Sequence, residues 1–329
     1  MKIFARLICL ATLCLLGGCH AATEADDSKM TYTTTTQKNP FQGEKLYVWQ
    51  NSDAAKWVNT HQRDRPDEAK LMEKIAAGVT TQWFGDWNHD ISHDLKGWLD
   101  ENESAGAVPI FVLYNIPLRD KGEYSEGGQK NPEGYRAWIQ QIEKTIGSRK
   151  AIVLLEPDAL AQLDRLTATQ QADRCKLLAE TVQKLQGLKS CSVYLDAGHP
   201  KWHSPQTMAE RLKKAGIEYA AGFCVNISNM NTDQACVNYG TEISRLVGGK
   251  HFVIDRGRNG NGPAPDAEWC NPSGRALGKL PTTETSIPLV DAFLWVRGPS
   301  GSDGDKNGAP PVGKFFLQHA LELAKNAHW

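Results

Sequence analysis

The sequence predicts an α/β fold, a (β/α) barrel of mainly parallel strands with its active site at the strand C-terminal ends. Three observations carry this. Short, continuously apolar runs recur along the 329 residues, capped amphipathic stretches lie between them, and five of the runs lead into an aspartate at once or within a few residues. Strands that are apolar throughout are buried on both faces, which a parallel sheet covered by helices provides.

In order, the runs are Leu46–Trp49, Val79–Phe84, Val108–Tyr114, Ala151–Leu155, Cys191–Leu195, Gly222–Ile227, His251–Ile254 and Ala292–Val296. Helix starts between them are legible. Asn131-Pro132 sets a capping side chain and a fixed φ ahead of an apolar stripe of Tyr135, Trp138, Ile139, Ile142 and Ile146. Ser204-Pro205 opens another helix, which Gly216 ends.

The N-terminus reads as an export signal over residues 1–18. Lys2 and Arg6 precede an apolar run, Leu7 to Leu16, that is too short to span a bilayer. Leu16-Gly17-Gly18-Cys19 resembles a bacterial lipobox, so Cys19 is the expected lipidation site, the membrane the expected partner of that anchor, and the chain is expected to be exported. Residues 19–40 are polar and Thr-rich and read as a flexible tether, leaving 41–329 as one large domain.

With 37 Lys plus Arg against 38 Asp plus Glu, the net charge of −1 steers the chain toward neither nucleic acid nor an acidic surface. A neutral partner fits, and the ten Trp, several beside Gly, Asn or Pro, offer flat faces for sugar rings. Apart from the leader and Cys19, the cysteines are Cys175, Cys191, Cys224, Cys236 and Cys270, an odd number that predicts at least one free thiol. No Cys or His spacing argues for zinc, and His89-Asp90-Ile91-Ser92-His93 reads as the solvated first turn of a helix; neither metal nor cofactor is expected, and a monomer is.

The aspartates that follow the runs are Asp120, Asp158, Asp196, Asp255 and Asp303. In a parallel barrel the strand C-terminal ends share one face, so these five are expected in one cleft. Any one alone is more often a cap or turn former, and pairing with Arg256 or Arg258 explains Asp255 about as well. Clustered carboxylates repel, which suits chemistry needing one carboxyl with a raised pKa beside an ionised neighbour. Glycosidic cleavage needs an acid for the leaving oxygen, a carboxylate to manage water, and flat faces to hold sugars.

Val112-Leu113-Tyr114-Asn115-Ile116-Pro117-Leu118-Arg119-Asp120 and Leu154-Leu155-Glu156-Pro157-Asp158-Ala159-Leu160 resemble the two signatures of glycoside hydrolase family 6, the inverting cellulases. The resemblance runs from Leu46 to the C-terminus, with further matches at Gln82-Trp83-Phe84-Gly85, Leu195-Asp196-Ala197-Gly198-His199 and Asn226-Ile227-Ser228-Asn229. It implies a distorted (β/α) barrel, usually of seven strands, acting on a β-1,4-glucan. It implies Asp158 as general acid and Asp120 as the group that sustains its pKa and accepts the water's proton. Tyr114 resembles the ring that distorts the reacting sugar, Arg119 the partner fixing Asp120, and Ser125, in a mobile loop at 122–128, the hydroxyl that holds the water. Trp83, Asp196, His199, Trp202, Asn226, Trp269, Arg297 and Asp303 fall at substrate-binding positions.

The chain departs from the family at four positions. Arg297 stands where a Lys is usual, Gly301 where a Glu is usual, and Lys121 and Asp305 where disulfide cysteines are usual; whether Cys270 pairs instead with Cys236 or Cys224 is left open by the sequence. The stretch from Arg297 to Pro311 is short, which implies an open cleft and internal cutting; the alternatives are a glucan-binding lipoprotein without activity, another β-glucan, or chain-end cutting.

Overall fold

Seven parallel strands pair in unbroken chain order to form one curled sheet. They are β1 (Gln82–Gly85), β2 (Ile110–Tyr114), β3 (Ala151–Leu155), β4 (Cys191–Asp196), β5 (Gly222–Val225), β6 (His251–Asp255) and β7 (Val290–Leu294). The computed structural model describes residues 38–78 and 80–329. The export signal, Cys19 and the tether as far as Gln37 lie outside the described residues.

Helices cover the outside: α1 (Asp53–His61), α2 (Pro66–Ala76), α3 (Ile91–Ser104), α4 (Pro132–Ile146), α5 (Ala168–Gln186), α6 (Pro205–Lys214), α7 (Asp233–Leu246) and α8 (Leu317–Lys325). Their starts are side-chain caps. The Asn131 carboxamide accepts the Gly134 N–H at 2.8 Å, and the Ser204 hydroxyl accepts the Thr207 N–H at 3.1 Å. Asp90 caps α3 by accepting the His93 N–H, so the His89–His93 segment is a helix start, as read.

The pleat divides each strand between two cores. Ile110, Val112 and Tyr114 of β2 point into the barrel with Ile152, Leu154, Tyr194 and Val253, while Phe111 and Leu113 point out against the helices. Each such side chain contributes about 1.5–3 kcal/mol by leaving water, so reversing the register would expose a whole row.

The run Leu46–Trp49 forms no strand. Leu46 makes a single parallel bridge to Val108, and Tyr47 and Trp49 spend their rings edge-on against Trp98 at 5.5 and 5.6 Å. Aromatic packing onto α3 outcompetes a ladder there. The barrel is stitched rather than laddered where its two edge strands meet. The Thr81 hydroxyl and the Trp83 indole N–H both donate to the Val296 carbonyl, at 2.6 and 2.8 Å. All five cysteines among the described residues are buried and free, so neither pairing left open for Cys270 occurs.

Candidate active site

The strand C-terminal ends carry backbone that side chains rarely adopt. Leu118, Asp120, Glu156 and Asp158 have φ of 59°, 46°, 51° and 67°. Each such residue costs on the order of 1–3 kcal/mol, which the surrounding bonds must hold in place.

Glu156 supplies much of that hold. Fully buried, its carboxyl accepts the backbone N–H of Asn115 at 2.9 Å and of Ile116 at 3.0 Å, and the Tyr135 hydroxyl at 2.9 Å. It thereby ties the end of β3 to the end of β2, and burial pushes its carboxyl up to about 7. From α5 the buried Arg174 guanidinium donates to the Pro117, Leu118 and Ala159 carbonyls at 2.9, 2.7 and 3.2 Å, fastening both signature loops to each other.

Asp158 keeps part of its surface open to the cleft. Desolvation, then the charges of Asp120 and Asp196, hold its carboxyl well above the usual carboxylate range. Asp120 is pushed up to about 7, by burial first, while a 2.7 Å hydrogen bond from the Gln162 carboxamide favours its ionised form. Asp196 is buried behind them; its Oδ2 accepts the N–H of Asp158 at 3.0 Å and of Gly198 at 2.9 Å. Three of the five aspartates therefore form one coupled group, in which Asp158 is the carboxyl most disposed to stay protonated.

The other two sit apart. Asp255 is buried and accepts four backbone N–H groups, from Ser228, Gly257, Val296 and Arg297 at 3.0–3.2 Å, so it ties loops together rather than pairing with Arg256 or Arg258. Asp303 forms a 2.7 Å ion pair with Arg258, lies 3.6 Å from Arg297 and accepts the Asn271 N–H at 3.0 Å. Asp196 and Asp303, read as substrate contacts, are both occupied by protein donors. Asn226 is engaged as a donor: its amide N–H groups bond the Asn229, Asn231 and Asp255 carbonyls and hold the left-handed turn after β5.

Arg119 does not fix Asp120. Its guanidinium pairs with Asp86 at 3.0 Å, donates to the Tyr114 and Ser125 carbonyls at 2.7 and 3.0 Å, and lies over the Tyr114 and Trp87 rings at 4.5 and 5.4 Å. Cation–π stacking and donors that reach three separate acceptors suit this position between two rings, and Gln162 is the side chain that bonds Asp120 instead. Ser125 enters that clamp through its carbonyl.

The aromatic residues line the same face. Trp83 meets Tyr114 edge-on at 5.3 Å, Trp202 lies 5.4 Å from the His199 ring, and Trp269 is 47% exposed. Burial lowers His199 to about 4, which keeps it neutral. At the last strand Arg297 is turned inward to Asp303 and the Ser302 carbonyl. A Cβ at Gly301 would lie 3.3 Å from its guanidinium, so the missing Glu and the arginine occupy one another's room. The cleft is not open throughout: Tyr124, from the loop after β2, reaches Trp269 at 5.9 Å between ring centroids. Among the described residues no group of His, Cys, Asp and Glu is arranged to hold a metal.

Sequence reasoning missed Gln162, Glu156, Arg174, Asp86 and Tyr124. Glu156 and Gln162 carried a signal, since both flank Asp158 within four residues; Asp86, Arg174 and Tyr124 carried none.

A curled parallel barrel with a coupled carboxyl group and exposed indoles at its mouth defines a (β/α)-barrel glycoside hydrolase. The chain belongs to the glycosyl hydrolases family 6, whose pattern matches residues 41–327. It is 44% identical over 262 residues to Endoglucanase A of Cellulomonas fimi, covering 79% of this chain and 57% of that one. It is 38% identical over 288 residues to Endoglucanase A of Thermobispora bispora, covering 86% and 62%. The chain thus spans about three fifths of the length of these two relatives. The solved endoglucanase Cel6 from Mycobacterium tuberculosis, in complex with methyl-cellobiosyl-4-deoxy-4-thio-β-D-cellobioside, superposes with a TM-score of 0.83 at 39% identity, covering 88% of this chain and 99% of that one.

Proposed function

We propose that this chain is an endo-β-1,4-glucanase that hydrolyses internal bonds of cellulose-like glucan with inversion, exported and tethered through a lipid on Cys19. The observation that carries the reading is the setting of Asp158, whose burial beside the charges of Asp120 and Asp196 raises its carboxyl, next to an Asp120 whose bond from Gln162 favours ionisation. Asp158 gives its proton to the leaving glycosidic oxygen. Asp120 takes the proton of the attacking water, directly or through a second water that Ser125 orients. Tyr114, fixed by Trp83 on its edge and Arg119 on its face, presses the reacting ring out of its relaxed chair. Trp83, Trp202 and Trp269 hold the sugars on either side.

The names of the two relatives and the thio-oligosaccharide held by the solved neighbour support a glucan substrate. Replacing Asp158 with Ala should lower cleavage of carboxymethylcellulose by about 10²–10⁴-fold or more. NMR of the first product should show the α-anomer. Activity surviving in that variant, or a β-anomer formed first, removes the mechanism.

A further inference from the structure

The loop after β2 and the loops after β6 and β7 meet across the barrel mouth at one side chain, Tyr124. Strands β2 and β7 are separated by β1 alone where the barrel closes, and this contact joins the loops that rise on either side of that seam. The Tyr124 ring stands on Gly304, directly after Asp303: a Cβ added there would lie 2.6–2.8 Å from three of its ring carbons. The same ring leans on Trp269 at an interplanar angle of 57°. Tyr124 and Trp269 are 42% and 47% exposed, so two half-solvated rings meet over the groove without belonging to any core.

The base of the loop is fastened and its tip is not fastened in the same way. Arg119 and Gly127 form an antiparallel bridge, the Gly128 N–H donates to Asp86 at 2.9 Å, and Glu123 pairs with Arg165 at 2.6 Å. All of these hold the loop to its own side of the cleft. Across the cleft the contacts are those of the Tyr124 ring, and a contact between exposed rings is weak enough to break and re-form.

We propose that Tyr124 is a latch over this cleft and determines how readily a long glucan enters it from the side. The proposal rests on the glucanase reading above. A short oligosaccharide slides along the groove beneath the ring, whereas the interior of a polymer reaches Asp158 only when the ring has swung off Gly304 and Trp269. A side chain at Gly304, where the positive φ of 158° already favours glycine, would also prop the latch open, and the partly covered Trp269 face becomes available to sugar as the latch lifts.

Two substitutions on opposite sides of the cleft should act alike, Tyr124→Ala by removing the ring and Gly304→Ala by displacing it. Both should raise kcat/KM on carboxymethylcellulose roughly two- to tenfold, the scale of one aromatic contact, and change cellotetraose cleavage less than about twofold. Combining them should add nothing further. Acrylamide should also quench the Trp269 emission, taken as the difference from a Trp269→Phe variant, more readily in both. Unchanged quenching, or polymer and tetraose rates that fall together, would overturn the latch while the unaltered chain stays active. Inactivity of the unaltered chain on both substrates would overturn the glucanase reading, and the latch with it.

Discussion

Asp196 grips Asp158 by the backbone: its Oδ2 accepts the Asp158 N–H at 3.0 Å and the Gly198 N–H at 2.9 Å, which links the ends of β3 and β4. The same carboxyl acts on Asp158 through its charge, adding to the burial that raises it. Asp196→Asn keeps one accepting oxygen and removes the charge, so Asp158 should release its proton at lower pH. The alkaline limb of the kcat profile then moves toward acid, with kcat down about 10–100-fold. A profile that loses height without moving would show that Asp196 acts by geometry alone.

Gln162 predicts the opposite limb. Its 2.7 Å hydrogen bond stabilises the Asp120 carboxylate against burial. In Gln162→Leu that carboxyl should protonate at higher pH, so the acid limb moves toward neutral. Loss of one charge-assisted bond should lower kcat about tenfold at the former optimum. An acid limb that stays in place separates Gln162 from the water-activating group.

What the sequence displayed and what it hid follow from the range of the forces involved. Seven of the eight apolar runs became strands because continuous burial is a local, repeated signal, as in Ala151–Leu155, whose ends match the reading. Leu46–Trp49 has the same composition, and its fate was decided by Trp98, 49 positions beyond Trp49. The motif placed Asp158 and Asp120 together, yet the partner of Arg119 was invisible: Asp86 lies 33 residues away on another loop. Five strand-end aspartates looked equivalent in sequence. The folded chain divides them by their donors: Asp158 stays partly open, Gln162 bonds the buried Asp120, and backbone N–H groups absorb Asp255 and Asp196.

The free cysteines yield a plain expectation. Burial pushes the Cys191 thiol up to about 12 and the Cys236 thiol higher, so neither is reactive while the domain is folded. Mass spectrometry after alkylation in denaturant should find Cys175, Cys191, Cys224, Cys236 and Cys270 all modified without prior reduction. A reducing agent should leave Tm unchanged within about 1 °C, where a lost disulfide would cost several kcal/mol. A pair of thiols that appears only after reduction contradicts the structure.

At the far end of the barrel, away from the carboxyl group, the buried Asp291 of β7 accepts the Tyr194 hydroxyl from β4 at 2.7 Å and meets His251 Nδ1 of β6 at 2.8 Å. The hydrogen bond to Asp291 raises the His251 pKa against the opposing effect of burial. A histidine whose pKa is higher folded than unfolded adds stability that is complete below its unfolded value, about 6.5, and is lost as pH rises through the folded value. His251→Leu removes that dependence and leaves Asp291 to Tyr194 alone. At pH 5.5 the variant should be less stable by roughly 2 kcal/mol, on the order of 5 °C in Tm, as expected for a charged hydrogen bond lost from a buried carboxylate. As pH rises through the folded-state value of His251 the gap should narrow, because the imidazolium that distinguishes the two proteins is lost. A Tm gap that stays constant from pH 5.5 to 9 would mean that packing at His251, not its charge, holds the base of the barrel together.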